Sequence, residues 1–231
     1  MVDNTALNQL IKQNVLEANG NEKLRQTESF RMAVDENRQT LMDANTNERS
    51  ILVANMSGCP PLADTLNVSN VSDAEFIARY ITIYERTSGF SPTQIMTLTV
   101  VVGQVERGVP RTEGAPVAFL SVEGQDLIRL VRSQDRAIIY AWRSECEPCQ
   151  TVRSDLDNLF GDDPPGDLLL LAVYGPGCSR ILDQEFDVKG APTLLFTLDG
   201  QVDARIVGAP SIQALKSEIQ ALRERTISSA K

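Results

Sequence analysis

Cys146-Glu147-Pro148-Cys149 sets two thiols three residues apart, directly behind the apolar run Ala137-Ile138-Ile139-Tyr140-Ala141-Trp142. On the first turn of a helix, that spacing lets the two sulfurs close a disulfide across one turn. A helix N-terminus also stabilises the thiolate of the first cysteine and lowers its pKa. Half of the chain's four cysteines lie in this tetrapeptide, so redox chemistry is the first expectation. Cys178, in Gly175-Pro176-Gly177-Cys178, is a candidate auxiliary thiol, or a packed one behaving as a small apolar residue. Cys59 precedes Pro60-Pro61 at a segment boundary, where a disulfide to another domain or chain is open to it. Four cysteines match the count of a structural zinc site, but only one Cys-x-x-Cys is present, so no metal is expected.

Composition removes several other chemistries. The chain has no histidine, which excludes histidine bases, Cys-His and Ser-His dyads and histidine metal ligands. A net charge of −9 argues against nucleic acid as a partner. No phosphate-cradling glycine loop is present, and no cofactor is expected. The acidic pairs Asp162-Asp163 and Asp155/Asp157, near Pro164-Pro165-Gly166, read as a solvated loop. No run approaches the about 18 apolar residues that span a bilayer, and the first thirty residues hold no signal-peptide core. A cytoplasmic protein with no membrane partner is the expectation, and in that setting a Cys-x-x-Cys is more often catalytic or metal-binding than structural.

The 231 residues divide into three segments. Residues 1–56 read as a polar helical arm. Leu7, Ile11, Val15 and Ala18 form one apolar stripe; Phe30, Val34, Asn37, Leu41, Ala44, Glu48 and Ile51 form a second with heptad spacing. A frayed tail, a coiled coil and a docking arm all fit so narrow a stripe. Residues 57–112 read as a helical hairpin, its second helix opened by the cap and proline of Ser91-Pro92-Thr93-Gln94. Residues 113–231 alternate strand and helix: strands at 117–122, 137–142, 168–174, 193–198 and 201–207, helices to about 133 and at 146–160, 179–186 and 211–226. That alternation predicts an α/β fold with a mixed sheet flanked by helices. Asp199-Gly200 marks a tight hairpin, and Ser211 caps the last helix.

Residues 115–227 resemble thioredoxin. Trp142 stands four residues before Cys146, Cys146-Glu147-Pro148-Cys149 opens a helix, and Asp187-Val188-Lys189-Gly190-Ala191-Pro192-Thr193 precedes a strand and the Asp199-Gly200 hairpin. The resemblance implies a cis proline at Pro192 facing the cysteines. It also implies a backbone edge at Ala191 for an extended substrate segment, and a substrate-side wall at Trp142. Cys146 would attack a partner disulfide as thiolate and Cys149 would resolve the mixed disulfide, so protein thiols and disulfides are the implied partners. Three positions depart from the family's pattern. Glu145 and Glu147 replace its usual tryptophan and glycine, and Tyr140 stands where a buried acid usually serves the resolving cysteine.

Two functions follow. One is a thioredoxin-like oxidoreductase; the other is a structural or adaptor component of a large assembly, a multi-subunit complex or a virus particle, joined through residues 1–112. For the dithiol itself, two carboxylates flanking the nucleophile oppose the helix N-terminus and disfavour the thiolate. A slow, rather reducing pair is expected, and titrating reduced Cys146 by its alkylation rate tests it. A pKa well below that of a free cysteine overturns it.

Overall fold

A computed structural model describes residues 4–19, 23–45, 48, 51–53, 71–162 and 165–226. Cys59 and the boundary at 56/57 lie outside them. The chain forms two compact units, Val2–Val109 and Pro110–Lys231.

The first unit begins with α1 (Asn4–Lys12), β1 (Leu16–Ala18) and β2 (Leu24–Gln26), the two strands pairing antiparallel. Asn14 adopts a left-handed φ of 56°, which asparagine tolerates better than most residues, and donates to Ser29 Oγ at 2.9 Å. That turn corrects the first expected stripe: Val15 and Ala18 lie beyond the helix, Ile11 is 40% exposed, and burial falls on Leu10 within the helix and on Val15 past its end. α2 (Glu28–Asp43) is capped by Thr27, which accepts the Phe30 N–H at 3.2 Å. It buries Phe30, Val34 and Leu41 and packs on α3 (Val71–Arg86). Asn37, a polar interruption of the second stripe, donates to Thr82 Oγ1 on α3 at 3.0 Å. The stripe does not run on as one helix, because Ala44 is extended and ends α2. α4 (Pro92–Arg107) packs on α3 and carries the expected capping box, with Ser91 and Gln94 bonding reciprocally. Buried Gln26 ties β2 to α4 through Val102 O at 2.9 Å.

The second unit runs β3 (Leu120–Ser121), α5 (Gln125–Arg132), β4 (Arg136–Trp142), α6 (Glu147–Phe160), β5 (Leu169–Tyr174), α7 (Gly175–Phe186), β6 (Thr193–Leu198), β7 (Gln201–Val207) and α8 (Ile212–Glu224). The strand order is β3-β5-β4-β6-β7, with β3, β5 and β4 parallel, and β6 and β7 each antiparallel to the strand before them in that order. β4 lies at the centre and is buried from Ala137 to Trp142, as an unbroken apolar run flanked on both sides and both faces should be. α6 contributes Cys149, Val152 and Leu156 and α8 contributes Leu215, Ile219 and Leu222 to one core with Ile138, Tyr140, Leu194 and Phe196. The described residues of 110–226 thus form an α/β domain with a mixed sheet flanked by helices, as the alternation of strand and helix predicts.

The β6–β7 hairpin turns at Asp199 (φ 50°) and Gly200 (φ 77°), the double left-handed pair of a tight primed turn. A Cβ on Gly200 would meet the Arg132 backbone at 3.0 Å as well as a disfavoured φ. Gly200→Ala should destabilise this domain by about 1–3 kcal/mol. Trp142 is the single tryptophan, so its fluorescence in a denaturant titration reads this domain alone. An unchanged midpoint would contradict the expectation.

Candidate active site

β4 ends at Trp142, and Arg143-Ser144-Glu145 carries the chain to Cys146, with Glu145 held at φ 53°. Cys146 is the N-cap residue of α6: it is extended (φ −128°), and its Sγ accepts the Cys149 N–H at 3.2 Å. Pro148 occupies the first turn, where a missing N–H leaves nothing unpaired. Cys146 and Cys149 form a disulfide with their Cα atoms 5.2 Å apart. Both are nearly covered, Cys146 at 5% and Cys149 at 4% exposure, while Glu145 and Glu147 lie in solvent.

The segment before β6 supplies the facing wall. The Ala191–Pro192 peptide is cis, and Cys146 Sγ lies 3.9 Å from Ala191 O. Thr193 Oγ1 donates to Gly190 O at 2.8 Å, and the Gly208 N–H donates to Pro192 O at 2.9 Å. Both bonds fix the loop on which Ala191 and Pro192 sit. The structure thereby brings four of the six candidate residues, Cys146, Cys149, Ala191 and Pro192, to one place.

Trp142 is 2% exposed, packed at 5.0 Å against Tyr174, and its Nε1 has no hydrogen-bond partner among the described residues. A short strap, residues 110–117, covers it. Gly114 presses so closely on the indole that a Cβ there would fall 2.2 Å from a ring carbon. Arg111 stacks over Tyr174 at 4.7 Å and donates to Ser144 Oγ at 3.4 Å. Arg153 donates to Glu113 O at 2.7 Å, and Asp157 accepts the Val117 N–H at 2.7 Å. Asp157 is therefore an anchor on α6, which corrects its reading as part of a solvated loop. Sequence reasoning missed the strap because it carries no periodicity; Gly114 was its one available signal.

Tyr140 is fully buried beneath the first turn of α6, and its hydroxyl donates to Cys149 O at 2.7 Å. Burial pushes the phenol well above its ordinary pKa; Arg153 opposes that shift and Asp157 adds to it. The group behind the second cysteine is thus a neutral donor across the working pH range.

No protein-family model matches the chain. Similar solved structures include a mutant thioredoxin from Halobacterium salinarum, at 23% identity over 51% of this chain and 98% of that one, with a TM-score of 0.41. A Malassezia sympodialis thioredoxin is 24% identical over 44% of this chain and 87% of its own, with a TM-score of 0.39. The oxidised mitochondrial thioredoxin 3 of Saccharomyces cerevisiae is 22% identical over 45% of this chain and 94% of its own, with a TM-score of 0.40.

Cys178 sits at a kink in α7, 4% exposed, accepting the Gly124 N–H through its sulfur at 3.4 Å. Gly124 begins α5 just past β3, whereas the disulfide lies against the β6 side of β4. Burial raises the Cys178 pKa, the Gly124 bond lowers it and Glu123 raises it, for a net upward shift. A raised pKa keeps the thiol protonated as pH climbs through the usual thiol range. Iodoacetamide labelling of Cys178, followed by mass spectrometry from pH 7 to 9, should run at least about tenfold slower than for a free thiol. Labelling at the free-thiol rate would refute its burial.

Proposed function

We propose that the protein is a thiol–disulfide oxidoreductase that exchanges disulfides with protein partners through Cys146 and Cys149. The observation that carries this reading is the Cys146–Cys149 disulfide at the start of α6, with Cys146 Sγ facing Ala191 O beside cis-Pro192. Cys146 caps the helix, where backbone N–H groups and the dipole stabilise negative charge, so it is the nucleophile. Cys149, one turn on and buried beside Tyr140, is the resolving thiol. Ala191 offers backbone polar groups to an extended partner segment, Pro192 shapes the loop, and Trp142 supports the site from beneath.

The exchange needs no metal or cofactor. The Cys146 thiolate attacks one sulfur of a partner disulfide, and the partner's other sulfur leaves and takes up a proton. Cys149 then gives up its proton and attacks Cys146 Sγ, which restores the intramolecular disulfide and releases the second partner thiol. The partner disulfide gains two electrons and the cysteine pair loses them. α2 packs on α3 within the chain, so its apolar stripe does not require a second chain, as the adaptor reading supposed. Exposed Met32 on α2 and Ile51 beyond it, at 67% and 62%, are what still favours a docking role for residues 1–112.

Insulin disulfide reduction with dithiothreitol as the electron source tests the enzyme reading. Turnover should be lost to background in Cys146→Ser, while reduced Cys149→Ser, mixed with insulin after the dithiothreitol is removed, should accumulate a mixed disulfide at Cys146 visible by mass spectrometry. Wild-type turnover no faster than Cys146→Ser would sink the proposal.

A further inference from the structure

We propose that Tyr140 is a positioning residue for the cysteine pair: its hydroxyl fixes the depth of Cys149 behind Cys146, and so sets how strongly the disulfide form is favoured. This rests on reading Cys146 and Cys149 as an exchanging pair, but it is testable without any partner protein.

Tyr140 sits in the central strand, paired with Ala172 on β5 and Leu194 on β6, so its backbone has little room to move. Its ring is fully buried in the same core as Cys149, Val152 and Leu156. Those apolar contacts set the distance between α6 and the sheet, yet they are non-directional and leave the helix free to slide or rotate by small amounts. The bond from Tyr140 to Cys149 O is directional and reaches the residue that must meet Cys146. Because the buried phenol stays protonated, it donates in the disulfide and the dithiol alike.

A restraint present in both states acts on the equilibrium by raising the effective concentration of one thiol at the other. In the closing step the Cys149 thiol loses its proton and its sulfur attacks Cys146 Sγ of the mixed disulfide. The Cys146–Cys149 bond forms, the bond to the partner sulfur breaks, and that sulfur leaves as a thiol after taking up the proton. Loosening Cys149 makes this closure less favourable, so the pair becomes more oxidising.

The test equilibrates the full chain with mixtures of reduced and oxidised dithiothreitol and counts alkylated Cys146 and Cys149 by mass spectrometry. Tyr140→Phe removes one oxygen from a filled position. It should shift the equilibrium about threefold to tenfold toward the dithiol, because the effective concentration of one thiol at the other falls by that factor when Cys149 is no longer held. Leu222→Ala is the comparison, since Leu222 is fully buried near Arg136 at the opposite end of β4. It should lose at least as much thermal stability and leave the equilibrium within about twofold of wild type. An equilibrium unchanged in Tyr140→Phe, or shifted equally in Leu222→Ala, overturns the proposal. A shift confined to Tyr140→Phe supports it even in a protein that turns over no insulin, a result that would sink only the oxidoreductase reading.

Discussion

The burial of β4 is the constraint on which the second domain depends. Its residues pair with β5 on one side and β6 on the other, and from Ala137 onward all are buried. A strand fixed this completely determines where its end lies, and the chain leaves that end only four residues before Cys146. The same strand carries Tyr140 beneath α6 and Trp142 beneath the strap. On its antiparallel side, β6 is held in register with β4, which places the residues just before β6, Ala191 and Pro192, beside the α6 N-terminus. The site is thus the meeting point of two segments that the sheet has already placed.

Local signals made much of this legible in the sequence. β4 read as a buried strand from six consecutive apolar residues, the β6–β7 turn from Asp199-Gly200, and two helix starts from Ser91 and Ser211, each of which accepts the expected N–H. The failures share a different cause. The left-handed turn at Asn14 is set by one backbone angle, so the residues around it still looked helical. The strap over Trp142 is held by Arg153 and Asp157, about forty residues away, and no short-range pattern encodes that. Tyr140 could be seen to replace an acid, but not to reach a backbone carbonyl on the next helix.

The same distinction governs the first unit. Its helices looked too polar to bury themselves, because the sequence gives the width of an apolar stripe but not what its polar members meet. Asn37 meets Thr82, and Arg86 donates to Asn14 O and Ser29 O while its guanidinium stacks over Phe30 at 5.6 Å. Side-chain hydrogen bonds between elements let a narrow stripe serve as an interior face, since its polar members find partners on the facing element.

At the disulfide, burial decides which electrostatic effect prevails. Glu145 and Glu147 are exposed, so their fields pass largely through water, where a unit charge at 4 Å is worth about 1 kcal/mol and salt weakens it further. The α6 N-terminus acts on Cys146 Sγ from within the protein, through the Cys149 N–H at 3.2 Å, and that contact is shielded from solvent by the Ala191 loop. A helix terminus in a partly buried geometry is worth up to about 2 kcal/mol. Two such charges together match the most that the helix end supplies, so at low ionic strength they offset it, as a rather reducing pair requires. Salt weakens their share more than that of the shielded contact. The negative charge they add is felt first by an approaching partner and only second by the sulfur.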